Sequence, residues 1–263
     1  MRSRLGDAGG SVKQDVVRHY DEKYAAESAG VDQTVLVPSE TPCNRYEACL
    51  KVLPARFRGG SVLEIGAGSG LLARSLIAAG LAFESYSVSE FSEARLAGLR
   101  RCMSDPRVQV LQLDVEDPPD DLAARYDAVI MIALIEHLFD PLRAMRAVRR
   151  MLRPGGFVFV DTPNAAKYTR RLKLLFGRFP STASRDEGLT TYDGRPVDLH
   201  DEGHLHYFTY RSLTRMLVER CGFSRVEKVP YPTSPALLGR RADYALACLR
   251  PELFSELCLV AYA

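Results

Sequence analysis

Seven residues, Glu64-Ile65-Gly66-Ala67-Gly68-Ser69-Gly70, constrain this chain more than any other stretch. They complete an apolar run, Ser61-Val62-Leu63-Glu64-Ile65, that reads as a short strand. They precede Leu71–Ala79, which reads as a helix with Gly80 as its stop. Glycines at alternate positions between strand and helix let the backbone turn sharply and let a ligand approach the main chain. In open α/β sheets, ligands bind there, beyond the carboxyl end of a strand. The spacing excludes two familiar uses. A dinucleotide fingerprint, G-x-G-x-x-G, needs glycine at 71 or 73, where the chain has Leu71 and Ala73. No Gly-Lys-Ser/Thr follows, so this is not a phosphate loop of the nucleotide-triphosphatase kind.

The strand–helix rhythm continues. Strands are expected at Phe83–Val88, Val108–Leu113, Asp127–Ile132 and Phe157–Asp161. Helices are expected at Glu93–Met103 and Pro141–Leu152, the second stopped by Pro154-Gly155-Gly156. Strands separated by helices of about ten residues imply a parallel sheet wrapped on both faces. The continuous apolar string Ala128-Val129-Ile130-Met131-Ile132 suits its middle. A helix at Arg211–Cys221 and strands at Ser224–Val229 and Glu256–Tyr262 follow, the two strands joined by a loop as a closing antiparallel pair. The expected class is therefore α/β, a doubly wound, mostly parallel seven-stranded sheet over 56–263 with an N-terminal helical cap over 1–55. The cap holds an amphipathic helix, Val12–Ser28, and a second from about Cys43 to Leu53. Residues 162–204 break the rhythm and read as an insertion over the binding face. Their basic-apolar segment, Lys167–Phe179, is expected to be a lid in preference to a membrane-surface helix.

Composition narrows the function. With 263 residues, 46% hydrophobic and 26% charged, the chain can bury a full core. A net charge of +2 makes no case for a nucleic-acid binder. No apolar stretch approaches the roughly 18 residues needed to span a bilayer, and the first residues lack the apolar run of a secretory signal. Six scattered cysteines without Cys-x-x-Cys read as reduced thiols. A cytoplasmic protein is the expectation.

An acidic residue two positions ahead of G-x-G-x-G resembles motif I of the class I S-adenosylmethionine (SAM) dependent methyltransferases, and the resemblance extends over about 60–260. It implies a Rossmann-like methyltransferase fold with SAM as cofactor, held around Glu64, Gly66, Ala67 and Gly68. The end of the second strand, Ser89-Glu90-Phe91, matches the place where a carboxylate binds the ribose hydroxyls. That assigns Glu90, with Ser89 as the neighbouring register, because a carboxylate can accept from both hydroxyls of a diol. The third strand ends Leu113-Asp114-Val115, where the resemblance implies that Asp114 meets the adenine amino group and Val115 the ring. Arg45 lies where some relatives pair an arginine with the SAM carboxylate.

The segment Glu136-His137-Leu138-Phe139-Asp140-Pro141 resembles the E-H-L-x-D-P string of ubiquinone-type and related small-molecule methyltransferases. Leu152-Arg153-Pro154-Gly155-Gly156 is similar to their L-x-P-G-G turn. The Asn/Asp-Pro-Pro-Tyr/Phe string of DNA and protein amine methyltransferases is absent, which disfavours base or glutamine N-methylation. His137 and His206 are the candidates for removing a proton from the acceptor. Both also have a structural reading, His137 as a fixer of its turn. The stretches Arg171–Pro180 and His204–Thr209 resemble a subgroup acting on glycans and secondary metabolites, with His204, Tyr207 and, from the cap, Tyr20 and Tyr24 as acceptor-binding candidates. Some ubiquinone-type relatives associate the acidic-His pair with a divalent metal, but no resident metal is expected here. The acid-rich loop Asp198–Glu202 reads as solvated. The expected activity is methyl transfer from SAM to a small molecule, foremost at a hydroxyl oxygen of a secondary metabolite or glycan. N- or C-methylation of a natural product or sugar, and a non-catalytic SAM-binding subunit, stay open. Of partners, only the acceptor is expected: no nucleic acid, with a homodimer open.

Overall fold

Seven strands form one sheet: β1 (Ser61–Ile65), β2 (Ser85–Glu90), β3 (Val108–Gln112), β4 (Tyr126–Ile132), β5 (Leu152–Thr162), β6 (Arg225–Lys228) and β7 (Leu257–Tyr262). Their order is β3-β2-β1-β4-β5-β7-β6. Strands β1 to β5 pair in parallel, and β7 runs antiparallel between β5 and β6. The computed structural model describes residues 34–184, 186–191, 194–195, 199–233 and 238–263. The expected helix at Val12–Ser28, with Tyr20 and Tyr24, lies outside the described residues, as does Asp198.

The helices start where the sequence offers caps. Asn44 accepts from the Glu47 amide at 2.9 Å to open α1 (Arg45–Arg56). Helix α2 (Leu71–Ala78) follows the glycine turn, and Ser92 caps α3 (Glu93–Cys102). Asp140 caps α4 (Pro141–Met151), with Pro141 in the first turn where its missing N–H costs nothing. Each such cap contributes about 1 kcal/mol. The insertion carries α5 (Tyr168–Leu175). Thr209 and Ser212 form a reciprocal box opening α6 (Tyr210–Arg215), which runs on as a π-turn to Arg220.

Side chains alternate between the two faces of the sheet and so feed two cores. Val62, Val88, Ala128, Ile130 and Phe159 face α1 and α2. Leu63, Ile65, Val129, Met131 and Val160 face α4 and α6. The buried string in β4 is thus shared between both layers, as a central parallel strand requires.

Three elements differ from the sequence reading. Strand β2 begins two residues late, because Phe83 turns into the core ahead of it and packs edge-on to Tyr86 at 5.6 Å. Strand β5 starts at Leu152 and absorbs the Pro-Gly-Gly turn through a register shift against β4. Between β6 and β7 the expected loop contains two helices, α7 (Arg240–Leu249) and α8 (Pro251–Phe254).

The foot of the insertion is tied to the sheet by charge. Glu256, buried just before β7, meets Lys167 at 3.1 Å and Arg170 at 2.7 Å, and also accepts from the Asn164 amide. Burial opposes its charge, but Arg170 and Lys167 outweigh burial and hold the carboxyl at about 2. Glu256→Gln leaves two buried cations unanswered and should cost about 3–5 kcal/mol in urea unfolding at pH 7. In the wild type the depressed pKa gives stability that is complete above the unfolded value of about 4.3. That stability is lost as pH falls through the folded value of about 2. The unfolding midpoint should therefore fall more steeply across that window in wild type than in Glu256→Gln; parallel profiles would refute the assignment.

Candidate functional site

Strands β1 and β4 are neighbours whose connections leave in opposite directions, towards β2 and β5. Their carboxyl ends part, and a cavity of about 460 Å³ opens there. The glycine turn forms its floor. The Gly66 and Ala67 amides donate to the Ser89 carbonyl at 2.9 and 3.0 Å, which ties the turn to β2. Gly68 has a φ of +59°, and a Cβ there would stand 2.8 Å from the Arg95 guanidinium. A side chain at this position is both strained and obstructed.

Acidic groups stand around that floor. Glu64 is buried and accepts from the Tyr86 hydroxyl at 2.8 Å; burial pushes its carboxyl up to about 8. Glu90 accepts from the Gly68 amide, and burial raises it as well. Asp114 accepts from the Glu116 amide at 2.9 Å in a tight turn that presents Val115 to the cavity. Tyr46, Leu134 and Phe139 complete the wall.

At the end of β4 the cavity meets a polar cluster. His137 lines the cavity, and its Nδ1 lies 3.1 Å from the Gly203 carbonyl. A carbonyl only accepts, so Nδ1 carries the proton in the neutral ring. Glu136, fully buried, accepts from the Thr162 hydroxyl at 2.9 Å through Oε2, while its Oε1 has no hydrogen-bond partner among the described residues. Burial pushes this carboxyl up to about 7. His204 packs edge-on against His137 with ring centroids 4.6 Å apart. Its Nδ1 lies 2.6 Å from the Thr182 hydroxyl, which itself lies 2.9 Å from Asp201 Oδ2. The carboxylate takes the hydroxyl proton, so Thr182 accepts from His204 and Nε2 keeps the lone pair. Burial and the neighbouring His137 lower the His204 pKa to about 4.

The insertion is stapled to this turn. The Leu205 and His206 amides donate to the Glu136 carbonyl at 2.8 and 3.1 Å. Asp201 is the knot behind them: it accepts from the Thr182 and Ala183 amides and from the Ser181, Thr182 and Tyr207 hydroxyls. These bonds outweigh its burial and hold it at about 2.

The expected residues therefore sort by place. Glu64, Gly66, Ala67, Gly68, Glu90, Phe91, Asp114, Val115 and His137 line one cavity. Arg45 does not: its Nε lies 3.4 Å from buried Asp161, which also accepts from Tyr231, and Tyr46 takes the place on the wall. His204, His206 and Tyr207 are not among the residues that line the cavity: His206 has its Nε2 3.3 Å from the Phe139 carbonyl, and Tyr207 braces Asp201. Sequence reasoning passed over Tyr46 and Arg95; it weighed Glu136 only with His137 as a turn-fixing or metal-associated pair, and it read Asp201 as part of a solvated loop, whereas Asp201 is fully buried. Asp201 carried a signal in its H-D-E-G-H setting, but its five donors come from residues up to 20 positions away.

This strand order, with an antiparallel last strand and a glycine turn after the first, is that of the class I SAM-dependent methyltransferases. The chain belongs to the methyltransferase-domain family, whose model matches residues 43–228. Among curated proteins it is 32% identical over 110 residues to the ubiquinone biosynthesis O-methyltransferase of Pseudomonas syringae pv. tomato, covering 42% of this chain and 47% of that protein. The Bordetella avium protein of the same name is 30% identical over 115 residues, covering 44% and 47%. The chain thus spans about half the length of the curated relatives it matches. Among solved structures, the Haloferax volcanii complex containing the Trm112 methyltransferase activator matches with a TM-score of 0.60 and 15% identity, covering 92% of this chain and 96% of that one. A Mesorhizobium loti SAM-dependent methyltransferase matches with a TM-score of 0.54 and 17% identity, covering 89% and 100%. At these identities the two structures testify to the fold.

The Asp201 knot can be tested without any ligand. Asp201→Ala strips two amides and three hydroxyls of their acceptor, and each buried donor left unsatisfied costs about 1–3 kcal/mol. Limited proteolysis should then cut within 181–206 far sooner than in wild type, while the far-ultraviolet dichroism of the sheet persists. Unchanged cleavage would show that the knot does not hold the insertion.

Proposed function

We propose that this protein transfers the methyl group of SAM to a hydroxyl oxygen of a small-molecule acceptor. One observation carries the reading: a single cavity joins the glycine turn, Glu90 and Asp114 at one end to His137 at the other. The bare main chain at Gly68, held at positive φ beneath the Arg95 guanidinium, fits a cofactor lying against the backbone. SAM supplies a methyl group already activated on a sulfonium. Glu90 would accept from the ribose hydroxyls, Asp114 would accept from the adenine amino group, and Val115 would lie against the ring.

The chain must then align the acceptor and receive one proton. His137 fills that role in this reading: its Nδ1 proton is engaged by Gly203, which leaves Nε2 as the basic nitrogen of the neutral ring. His204 supports it from behind, and His206 and Tyr207 shape the insertion. The O-methyltransferase names of the curated relatives favour oxygen as the methylated atom.

A second reading has its own observation. Glu136, His137 and His204 each offer a ligand atom, and these atoms lie within 4.8 Å of one another. One carboxylate and two imidazoles suit a divalent ion such as zinc, which would hold the acceptor oxygen in place of a general base.

Calorimetry should give a micromolar dissociation constant for S-adenosylhomocysteine, roughly 8 kcal/mol, and no binding of NAD; the reverse pattern would sink the whole reading. Gly68→Val should abolish binding, and Glu90→Ala and Asp114→Ala should each weaken it by roughly 1–3 kcal/mol. Among phenol, sugar and amine acceptors screened for SAM turnover, hydroxyl compounds should react. His137→Ala should then lower kcat at least roughly tenfold with cofactor affinity within about 1 kcal/mol of wild type. Turnover that dies on dialysis against a chelator and returns with a divalent salt would replace the base by the metal.

A further inference from the structure

Helix α5 carries an apolar ridge that no part of the described chain covers. None of its residues is buried. Leu172, Leu174 and Leu175 are 50%, 64% and 75% exposed, and Phe176, next in the chain, is 76% exposed. Leu172, Leu175 and Phe176 stand three and four positions apart and so share one face of the helix. On the same wheel, at 100° per residue, Arg171 flanks that face on one side and Lys173 on the other. Arg170 points the opposite way, 2.7 Å from buried Glu256.

This geometry tells against the lid expected from the sequence. A lid would have to turn Leu172, Leu175 and Phe176 inward, and that rotation would pull Arg170 off a buried carboxylate. The ion pair instead fixes the ridge facing outward. Three large apolar side chains, Leu172, Leu175 and Phe176, side by side on an outer surface mark a site of interaction.

We propose that the α5 ridge docks onto an anionic phospholipid bilayer. Leucine and phenylalanine side chains would enter the boundary between headgroups and acyl chains, while Arg171 and Lys173 extend along it to lipid phosphates. Charge favours a bilayer over a protein partner. Arg171 and Lys173 flank the apolar ridge on both sides, the arrangement of helices that lie in the headgroup layer of an anionic bilayer. No described helix is long and apolar enough to cross a membrane, so the attachment is peripheral. A ridge this short binds weakly and depends on salt, since its electrostatic part is screened within about 10 Å at 0.1 M. The proposal stands apart from the methyl-transfer reading, as it uses none of the cavity residues.

The experiment is flotation of the full-length protein with extruded vesicles of phosphatidylcholine, with and without phosphatidylglycerol, at low and high salt. The expected result is at least fivefold more protein bound to the phosphatidylglycerol vesicles at low salt, with the excess lost at high salt. The double variants Leu175→Ser/Phe176→Ser and Arg171→Glu/Lys173→Glu should each abolish the excess. Leu175 and Phe176 are exposed, so circular dichroism and S-adenosylhomocysteine binding of Leu175→Ser/Phe176→Ser should match wild type; the same two measurements on Arg171→Glu/Lys173→Glu check that losing the Arg171 bond to the Ala166 carbonyl leaves the fold intact. Because the chain contains no tryptophan, Phe176→Trp introduces a single reporter; its emission should shift to the blue with anionic vesicles. Absent binding, binding that survives both double variants, or an unshifted reporter overturns the proposal. So does light scattering that finds a dimer in wild type and a monomer in Leu175→Ser/Phe176→Ser, which would give the ridge to a second copy of the chain.

Discussion

The reversal of direction between β1 and β4 is the constraint on which the rest of this molecule depends. Parallel crossovers are right-handed, so moving outward from β1 to β2 puts helices on one face, and moving outward from β4 to β5 puts them on the other. Helix α2 accordingly packs in the core with α1, and α4 in the core with α6. The two neighbouring strands then send their following loops apart, and the gap cannot be closed by the sheet itself. What stands at the gap must tolerate an exposed main chain on the β1 side and supply side chains on the β4 side. Glycines meet the first demand. The turn Ala133–His137, entered by Ala133 at a φ of +49°, meets the second.

The buried acids divide along the same line. Glu256 and Asp201 are answered by cations or by a full set of donors, and both sit at about 2. Those two hold the insertion. Glu64, Glu136 and Asp161 lie at or behind the gap, and burial raises them to about 8, 7 and 6. Arg45 and the Tyr231 hydroxyl only partly offset that for Asp161. A raised carboxyl lowers the stability of the folded state as pH rises past its unfolded value. The fold therefore gives up stability around the cavity and recovers it in the supports, a separation characteristic of functional sites.

What could be read from the sequence follows the range of the interactions. The sheet was readable because its strands and caps are local signals: the apolar string in β4, Asn44, Ser92 and Asp140 at helix starts, and glycines where φ is positive. The cavity-lining residues Glu64, Glu90 and Asp114 were readable for the same reason, since each sits at or near the end of a strand. Helices α7 and α8 were not, because only Asp243 and Ala247 of α7 are buried and the apolar stripe is correspondingly thin. The pairing of Arg45 with Asp161 joins residues 116 positions apart, and nothing near Arg45 announces it. In the string His204-Leu205-His206, the sequence reading gave the proton to His206 and acceptor binding to His204, but it is His204 that packs on His137. Their separation, one packed on His137 and one beside Phe139, follows from alternation along an extended segment whose backbone bonds to Glu136.

The insertion shows how a long loop becomes part of a site. Closing about 40 residues costs little more entropy than closing 20, since each doubling adds only about 0.6 kcal/mol. The difficulty is to place its return within a fraction of an ångström. Two anchors accomplish that here. Glu256 pins the outgoing chain at Lys167 and Arg170, and the Asp201 knot draws 181–183 against 201–207 before the strand-four turn accepts its amides. Between them α5 stands with its ridge outward. The same pair of anchors thus sets His204 against His137 and holds α5 on the surface, so an event at α5 would reach the cluster only by straining a buried ion pair or the knot itself.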